Sequence, residues 1–279
     1  MTLTVLRIAA FSDGTRGGNP AGVWIGAALP DEAIMQSTAH EIGYSETVFA
    51  AAVGNSWRVR YFSPESEVPF CGHATIALGT ALALEQGDGL FRLVLNDAEI
   101  TVEGYKQGEL VAASLQSPKT RSEPVSASLL NDALALFGYS ADDLDSRIPP
   151  AIAYGGATHL VLCLNDRGKL RAMHYDLDAG RALMNKAGWV TILLAYADTP
   201  QLFHTRNPFA SGGVYEDPAT GAATAALAGY LRDIDWPHAG AVKIIQGEDM
   251  GCRSILHAEI SPVAGSSIRV SGTGRLMVL

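Results

Sequence analysis

The sequence predicts an α+β protein of two similar halves, in each of which short strands surround one buried helix. Three observations carry this expectation. Runs such as "WRVRYFS", "TVFAAAV" and "VKIIQG" are short, rich in β-branched or aromatic residues and separated by Gly, Asp and Asn turns. Two segments, "CGHATIALGTALA" from Cys71 and "ATGAATAALAGYL" from Ala219, have helix-forming composition but small residues on every side. Such helices are enclosed, as at the centre of a barrel where strands approach closely. Finally, 279 residues exceed the usual size of one core. The two halves also share a pattern: a strand, a proline-containing turn, then the small-residue helix, with Gly72 matching Gly221.

In chain order, "TVLRIAAF" and "AGVWIGA" read as strands, Asp31 to Gly43 as a helix, and "TVFAAAV" and "WRVRYFS" as strands again. The helix His73 to Glu85 follows, then the strands "FRLVLN", "EITVEGY" and "ELVAASLQ". "SPKTRSEPVS", Ser117 to Ser126, mixes Pro, Ser and charge and reads as a linker. Beyond it, "AIAYGGATHLVLCL", "VTILLAYA" and "QLFHTRNPF" read as strands, "ATGAATAALAGYL" as a helix, and "VKIIQG", "SILHAEI" and "SIRVSGTGRLMVL" as strands. The expected domains are 1–118 and 125–265, with 266–279 able to pack back onto the first.

Composition removes several functions. With 48% hydrophobic and 18% charged residues the chain has enough apolar side chains for a compact core. Acidic residues outnumber basic ones 29 to 20, giving a net charge of −9, and Lys and Arg form no cluster interleaved with aromatics. Neither nucleic acid nor an anionic membrane surface is an expected partner. Cys71, Cys163 and Cys252 are odd in number, far apart and in no CxxC pair, which fits a reducing compartment. The N-terminal stretch has no long apolar segment or cleavage site, and the apolar runs Ala74 to Leu84 and Val190 to Ala197 are too short to span a bilayer. A cytoplasmic protein is expected. Complete GxSxG, HExxH, phosphate-loop and zinc-deaminase motifs are lacking, and the seven histidines are scattered, so no metal and no cofactor is expected.

The junction at Cys71, Gly72 and His73 bears most on function. A helix N-terminus leaves backbone N–H groups unpaired and carries partial positive charge, so it can hold an anion without a basic side chain. If both small-residue helices start in a crevice between the domains, a carboxylate there gains up to ~2 kcal/mol from each end.

"NPAGV" (Asn19 to Val23), "GYSETVF" (Gly43 to Phe49), "FSPESEVPFCGHAT" (Phe62 to Thr75), "EDPATGAA" (Glu216 to Ala223) and "QGEDMGCRS" (Gln246 to Ser254) fall in order along nearly the whole chain. Together they resemble the PhzF family of phenazine-biosynthesis isomerase-like proteins. The resemblance implies a diaminopimelate epimerase-like fold: two pseudo-symmetric domains, each a β-barrel wound around a central helix, with the active site between them. It also implies a homodimer and a cofactor-free, metal-free proton shift on a carboxylated ring, trans-2,3-dihydro-3-hydroxyanthranilate in the founding member.

By that resemblance Glu46, in "YSET", matches the glutamate that takes a proton from carbon and helps return it elsewhere. A carboxylate base works best with its pKa raised by burial, so burial of Glu46 is a requirement. His73 matches the family's active-site histidine, and Asp217 its second acidic residue, expected to orient substrate. Taken alone, His73 also fits an N-terminal hydrogen-bonding residue, and Asp217 before Pro218 an ordinary N-cap. Backbone N–H groups near Gly72, His73, Gly221 and Ala222 are the expected carboxylate holders, and Asn19 is expected to shape a turn or touch substrate. Two departures stand out: Ala222 replaces a family Ser, and Gly251 to Ser254 replaces a "GRPS" motif, which displaces Arg253 from any anion-binding role.

Two other functions fit less of the sequence. A racemase or epimerase of the related fold needs two opposed thiols; Cys71 stands in the first position, but "YEDPATGAA" offers no second. Cys71 therefore reads as a small buried residue. A catalytically silent small-molecule binding protein would keep the fold without the reaction.

Overall fold

The structure is a computed structural model that describes residues 3–277. Met1 and Thr2, and Val278 and Leu279 at the end of the expected strand "SIRVSGTGRLMVL", lie outside the described residues. The chain has a mixed α/β fold built on a large β-sheet and divides into two compact units, 1–116 with 271–279, and 117–270.

The first unit opens with β1 (Leu6–Ser12) and β2 (Asn19–Gly26), paired antiparallel. Helix α1 (Glu32–Ile42) ends at Gly43, whose φ of 71° supplies the left-handed cap. The helix lets β3 (Thr47–Val53) return parallel to β2. β4 (Ser56–Phe62) pairs antiparallel with β3, and the two-residue β5 (Glu67–Val68) pairs with β4. Then come α2 (Gly72–Gln86), β6 (Gly89–Val94), β7 (Glu99–Gln107) and β8 (Leu110–Gln116). β6 runs parallel to β4, and β7 pairs antiparallel with both β6 and β8.

Every residue of α2 from His73 to Ala83 is buried, as the all-round small residues predict. The enclosure depends on glycine. A Cβ on Gly104 of β7 would stand 2.3 Å from the Gly79 carbonyl oxygen of α2, so the strand can lie on the helix only where side chains are absent. Outside the strands, Met35 and Ala39 of α1 pack on Phe49 and Phe62.

The second unit begins where a linker was expected. Ser117 and Thr120 are buried, and β9 (Arg121–Pro124) pairs with β10 (Ala151–Tyr154), so this segment is integral structure. Between them lies α3 (Ala127–Phe137). β11 (Thr158–Leu164) forms a hairpin with β10. The short α4 (Arg167–Arg171) and α5 (Leu177–Ala187) carry the chain to β12 (Thr191–Thr199), parallel to β11. β13 (Leu202–Phe209), β14 (Val214–Asp217), α6 (Gly221–Asp233), β15 (Ala241–Gln246) and β16 (Ser254–Glu259) complete it. The order of pairings repeats that of the first unit: antiparallel, parallel, antiparallel, a short antiparallel strand, the enclosed helix, then parallel and antiparallel again. Like α2, α6 is buried from Ala223 to Arg232, and a Cβ on Gly155 would meet the Ala226 nitrogen at 2.4 Å.

The outer core of this unit joins Leu160, Leu162, Ile192 and Leu194 to Leu183, Met184 and Trp189. β17 (Arg269–Leu276) closes the described chain by pairing antiparallel with β1. Among the described residues no helix is long and apolar enough to cross a membrane.

Candidate active site

Glu46 stands immediately before β3. Its carbonyl oxygen accepts a hydrogen bond from the Gly22 N–H of β2, 3.2 Å away, so the parallel ladder fixes its backbone. Its side chain is half-buried, at 16% exposure, and Oε2 lies 3.5 Å from Nε2 of His73. His73 is the second residue of α2 and its side chain is 8% exposed. Ser45 Oγ lies 3.4 Å from the same Nε2, and the Cys71 sulfur 3.3 Å from Nδ1. The imidazole is thus held between a thiol on one nitrogen and a carboxylate with a hydroxyl on the other.

The first turn of α2 is tied to the strand before it. The Thr75 hydroxyl and N–H both donate to the Cys71 carbonyl, at 2.7 and 3.0 Å, and the buried Tyr61 hydroxyl of β4 lies 2.7 Å from Thr75 Oγ1. These bonds fix where the ring of His73 starts, which a helix N-terminus alone does not do. Gly72 opens the helix with free space where a side chain would project. Cys71, expected to be buried, is half-exposed at the N-cap, because the extended backbone there turns its side chain towards His73 rather than into the core. Asn19 is buried as the first residue of β2, opposite Ala10.

In the second unit Asp217 ends β14 and is not the N-cap: α6 begins at Gly221, with Thr220 as the capping position. The Thr220 hydroxyl donates to the Asp217 carboxylate. Gln246, fully buried at the end of β15, holds both: its Nε2 donates to the Asp217 carbonyl at 2.7 Å and to Thr220 Oγ1 at 3.0 Å, and its Oε1 accepts from the Thr220 N–H at 3.1 Å. The neighbouring Glu216 points to the other face of β14 and pairs there with Arg206 of β13. Gly221 is buried and Ala222 half-buried in the first turn of α6. Arg253 lies 3.6 Å from Glu248, which also binds Arg167 and sits 2.6 Å from His204 Nδ1.

The structure therefore brings Glu46, His73 and Gly72 together with Cys71 and Ser45 in one unit, and Asp217 with Gly221 and Ala222 in the other. Thr220 and Gln246 were not singled out from the sequence as site residues. Both lie inside the quoted motifs, but their role needs the β15–α6 proximity, which no local spacing encodes.

A family model described as "Phenazine biosynthesis-like protein" matches residues 8–278. The chain belongs to the PhzC-PhzF family. It is 32% identical to the trans-2,3-dihydro-3-hydroxyanthranilate isomerase of Pseudomonas fluorescens over 275 residues, covering 96% of this chain and 94% of that one. Among solved structures, the phenazine biosynthesis protein of the PhzF family from Bacillus anthracis matches with a TM-score of 0.86 at 19% identity, over 98% of this chain and 96% of that one. A probable proline racemase from Agrobacterium radiobacter K84 matches with a TM-score of 0.65 at 10% identity, over 98% and 90%. Likenesses this low in identity show a shared fold. The curated relatives with a named reaction in the PhzF family are isomerases.

Proposed function

We propose that the protein is a PhzF-like isomerase that shifts a proton on a small carboxylated, cyclic substrate, with Glu46 as general acid and base. The observation that carries this reading is the half-buried Glu46 carboxylate 3.5 Å from the His73 imidazole, in a chain of an isomerase family. The recurring pairing order and the enclosed α2 and α6 support reading each unit as a barrel of strands about one helix, pseudo-symmetric and diaminopimelate epimerase-like in fold.

In this mechanism Glu46 removes a proton from carbon as the adjacent double bond shifts, and the resulting carboxylic acid returns a proton to another carbon. One C–H bond breaks and one forms, and nothing is oxidised. His73, beside the same carboxylate oxygen, steadies the moving proton, a task suited to an imidazole. The N–H groups at Gly72 and His73, at the start of α2, hold the substrate carboxylate where a helix end favours negative charge, and those at Gly221 and Ala222 offer the same chemistry at the start of α6. Asp217, oriented by Thr220 and Gln246, fixes a polar group such as an amine. Asn19 shapes the entry to β2.

A second reading, a two-thiol amino-acid racemase, has Cys71 beside His73 in its favour. It lacks a second thiol in "YEDPATGAA", and Cys163 is 1% exposed in β11, where burial pushes it up to about 12, far from a working base near neutrality.

Turnover of trans-2,3-dihydro-3-hydroxyanthranilate, other cyclic carboxylates and free amino acids by wild type and Cys71→Ala separates these readings. Isomerisation of a cyclic carboxylate by both proteins supports the proposal. Racemisation of an amino acid that disappears in Cys71→Ala contradicts it, and saturable binding with no turnover of any compound supports a silent binding protein instead.

A further inference from the structure

Glu46, Cys71 and His73 make a donor set beyond what proton transfer needs. One ligand atom from each lies within 4.8 Å of the other two, and all three residues belong to one unit. Tetrahedral zinc, with bonds of about 2.0–2.3 Å, places its donors about 3.3–3.8 Å apart. The sulfur lies 3.3 Å from Nδ1 and the carboxylate 3.5 Å from Nε2, on opposite nitrogens of the ring, so the three donors are close but not yet converged on one point. A single ring nitrogen must serve one metal, so binding requires a rotation of the half-exposed Cys71 or of the Glu46 side chain that brings both to the same nitrogen.

We infer that Glu46, Cys71 and His73 form a binding site for a borderline-soft divalent cation, zinc above all, which engages the carboxylate and imidazole and so acts as a reversible inhibitor. The donor chemistry selects the metal: sulfur with imidazole favours zinc or cobalt, whereas magnesium and calcium prefer oxygen ligands alone. Three protein ligands leave the fourth position to water, as in open zinc sites. The positive end of α2 lies at Cys71 and His73, and its partial charge is repelled by the cation but offset by the two anionic ligands. Cys71 is the discriminating residue. It has no part in the proposed proton shift, yet it is the thiol at the reacting pair.

The inhibitory consequence rests on the proposed function; the binding does not, and the test reads binding directly. Cobalt(II) is titrated into the reduced full-length protein in chelator-treated buffer, and the spectrum is followed for the thiolate-to-cobalt charge-transfer band and the visible bands of tetrahedral cobalt. One equivalent per chain should develop both, zinc should displace the cobalt and magnesium should not. Cys71→Ser should lose the charge-transfer band, Glu46→Gln should weaken binding at least about tenfold, since even outer-shell partners contribute that much, and Cys252→Ser should leave the titration unchanged. Circular dichroism checks each variant, and Glu46→Gln decides if Cys71→Ser fails to fold. Absence of the sulfur band in wild type, its survival in Cys71→Ser or unweakened binding in Glu46→Gln overturns the site. A protein that binds cobalt in this way but isomerises nothing keeps the site and refutes the reaction; one whose turnover depends on Glu46 but takes up no cobalt does the reverse.

Discussion

Nε2 of His73 lies 3.5 Å from Oε2 of Glu46, and the two residues reach each other from different elements, one at the start of α2 and the other just ahead of β3. The parallel ladder between β2 and β3 sets one, and the Tyr61–Thr75–Cys71 bonds set the other. General acid–base action typically contributes about 10²–10⁴-fold. Glu46→Gln is accordingly expected to lower kcat on the accepted substrate by a factor in that range with the fold intact, and His73→Gln to lower it less, because in the proposed reaction His73 acts on the proton that Glu46 carries. Steady-state rates on both variants check this.

Gln246 reaches nothing outside the protein in its proposed role and acts through Thr220 and Asp217. Gln246→Leu keeps the volume but leaves the Thr220 N–H without this acceptor, at a cost of roughly 1–3 kcal/mol. With Asp217 less firmly oriented, KM should rise more than kcat falls. A purely structural role would lower the melting temperature and leave KM alone.

Arg206 and Glu216 are 7% and 5% exposed and form a two-pronged pair between β13 and β14. Arg206→Met removes the cation and strands a buried carboxylate, which typically costs about 3–5 kcal/mol. Replacing both partners, Arg206→Met with Glu216→Leu, should recover most of that loss, because the second change removes the stranded charge. Denaturant titration of the single and double variants measures the difference.

His159 is fully buried on β11, with Nδ1 2.8 Å from Thr191 Oγ1, and burial pushes it down to about 3 from its ordinary 6.5. Between these values the unfolded chain binds a proton that the folded chain refuses, so stability falls as pH drops through that window and is whole above it. The Glu67 carboxylate, held low by Arg60, acts in the same direction at lower pH, where the unfolded chain's carboxylates begin to protonate. Unfolding free energies between pH 7 and 5 should slope by up to one proton for His159, and His159→Gln should remove that slope.

The strands and the two enclosed helices were legible because their signals are local: alternation for strands such as β3 and β4, and small residues on all faces for α2 and α6. Helices α3 and α5 were not read, although Ser126 and Asp176 cap their starts and Gly138 and Gly188 their ends. Both pack their apolar residues, among them Phe137 and Met184, on strands whose own sequences look complete without them. Glu46 and His73 were legible through family motifs, whereas their distance was not, since it depends on the β2–β3 ladder meeting the start of α2. Asp217 before Pro218 looked like a helix cap because the local pattern is the same; the chain instead continues through Ala219 before Thr220 takes that place. Cys71 was misjudged because sequence shows that it precedes a helix but not that its backbone is extended.

The most direct test of the central claim is proton NMR in deuterated water with candidate cyclic carboxylates, comparing wild type with Glu46→Gln. The account predicts that wild type places deuterium at a carbon position of an accepted substrate and that Glu46→Gln, keeping the side chain's size without its basicity, does so at least about 10²-fold more slowly. Equal exchange by the two proteins would contradict it, for the proton would then be moved by a group other than Glu46.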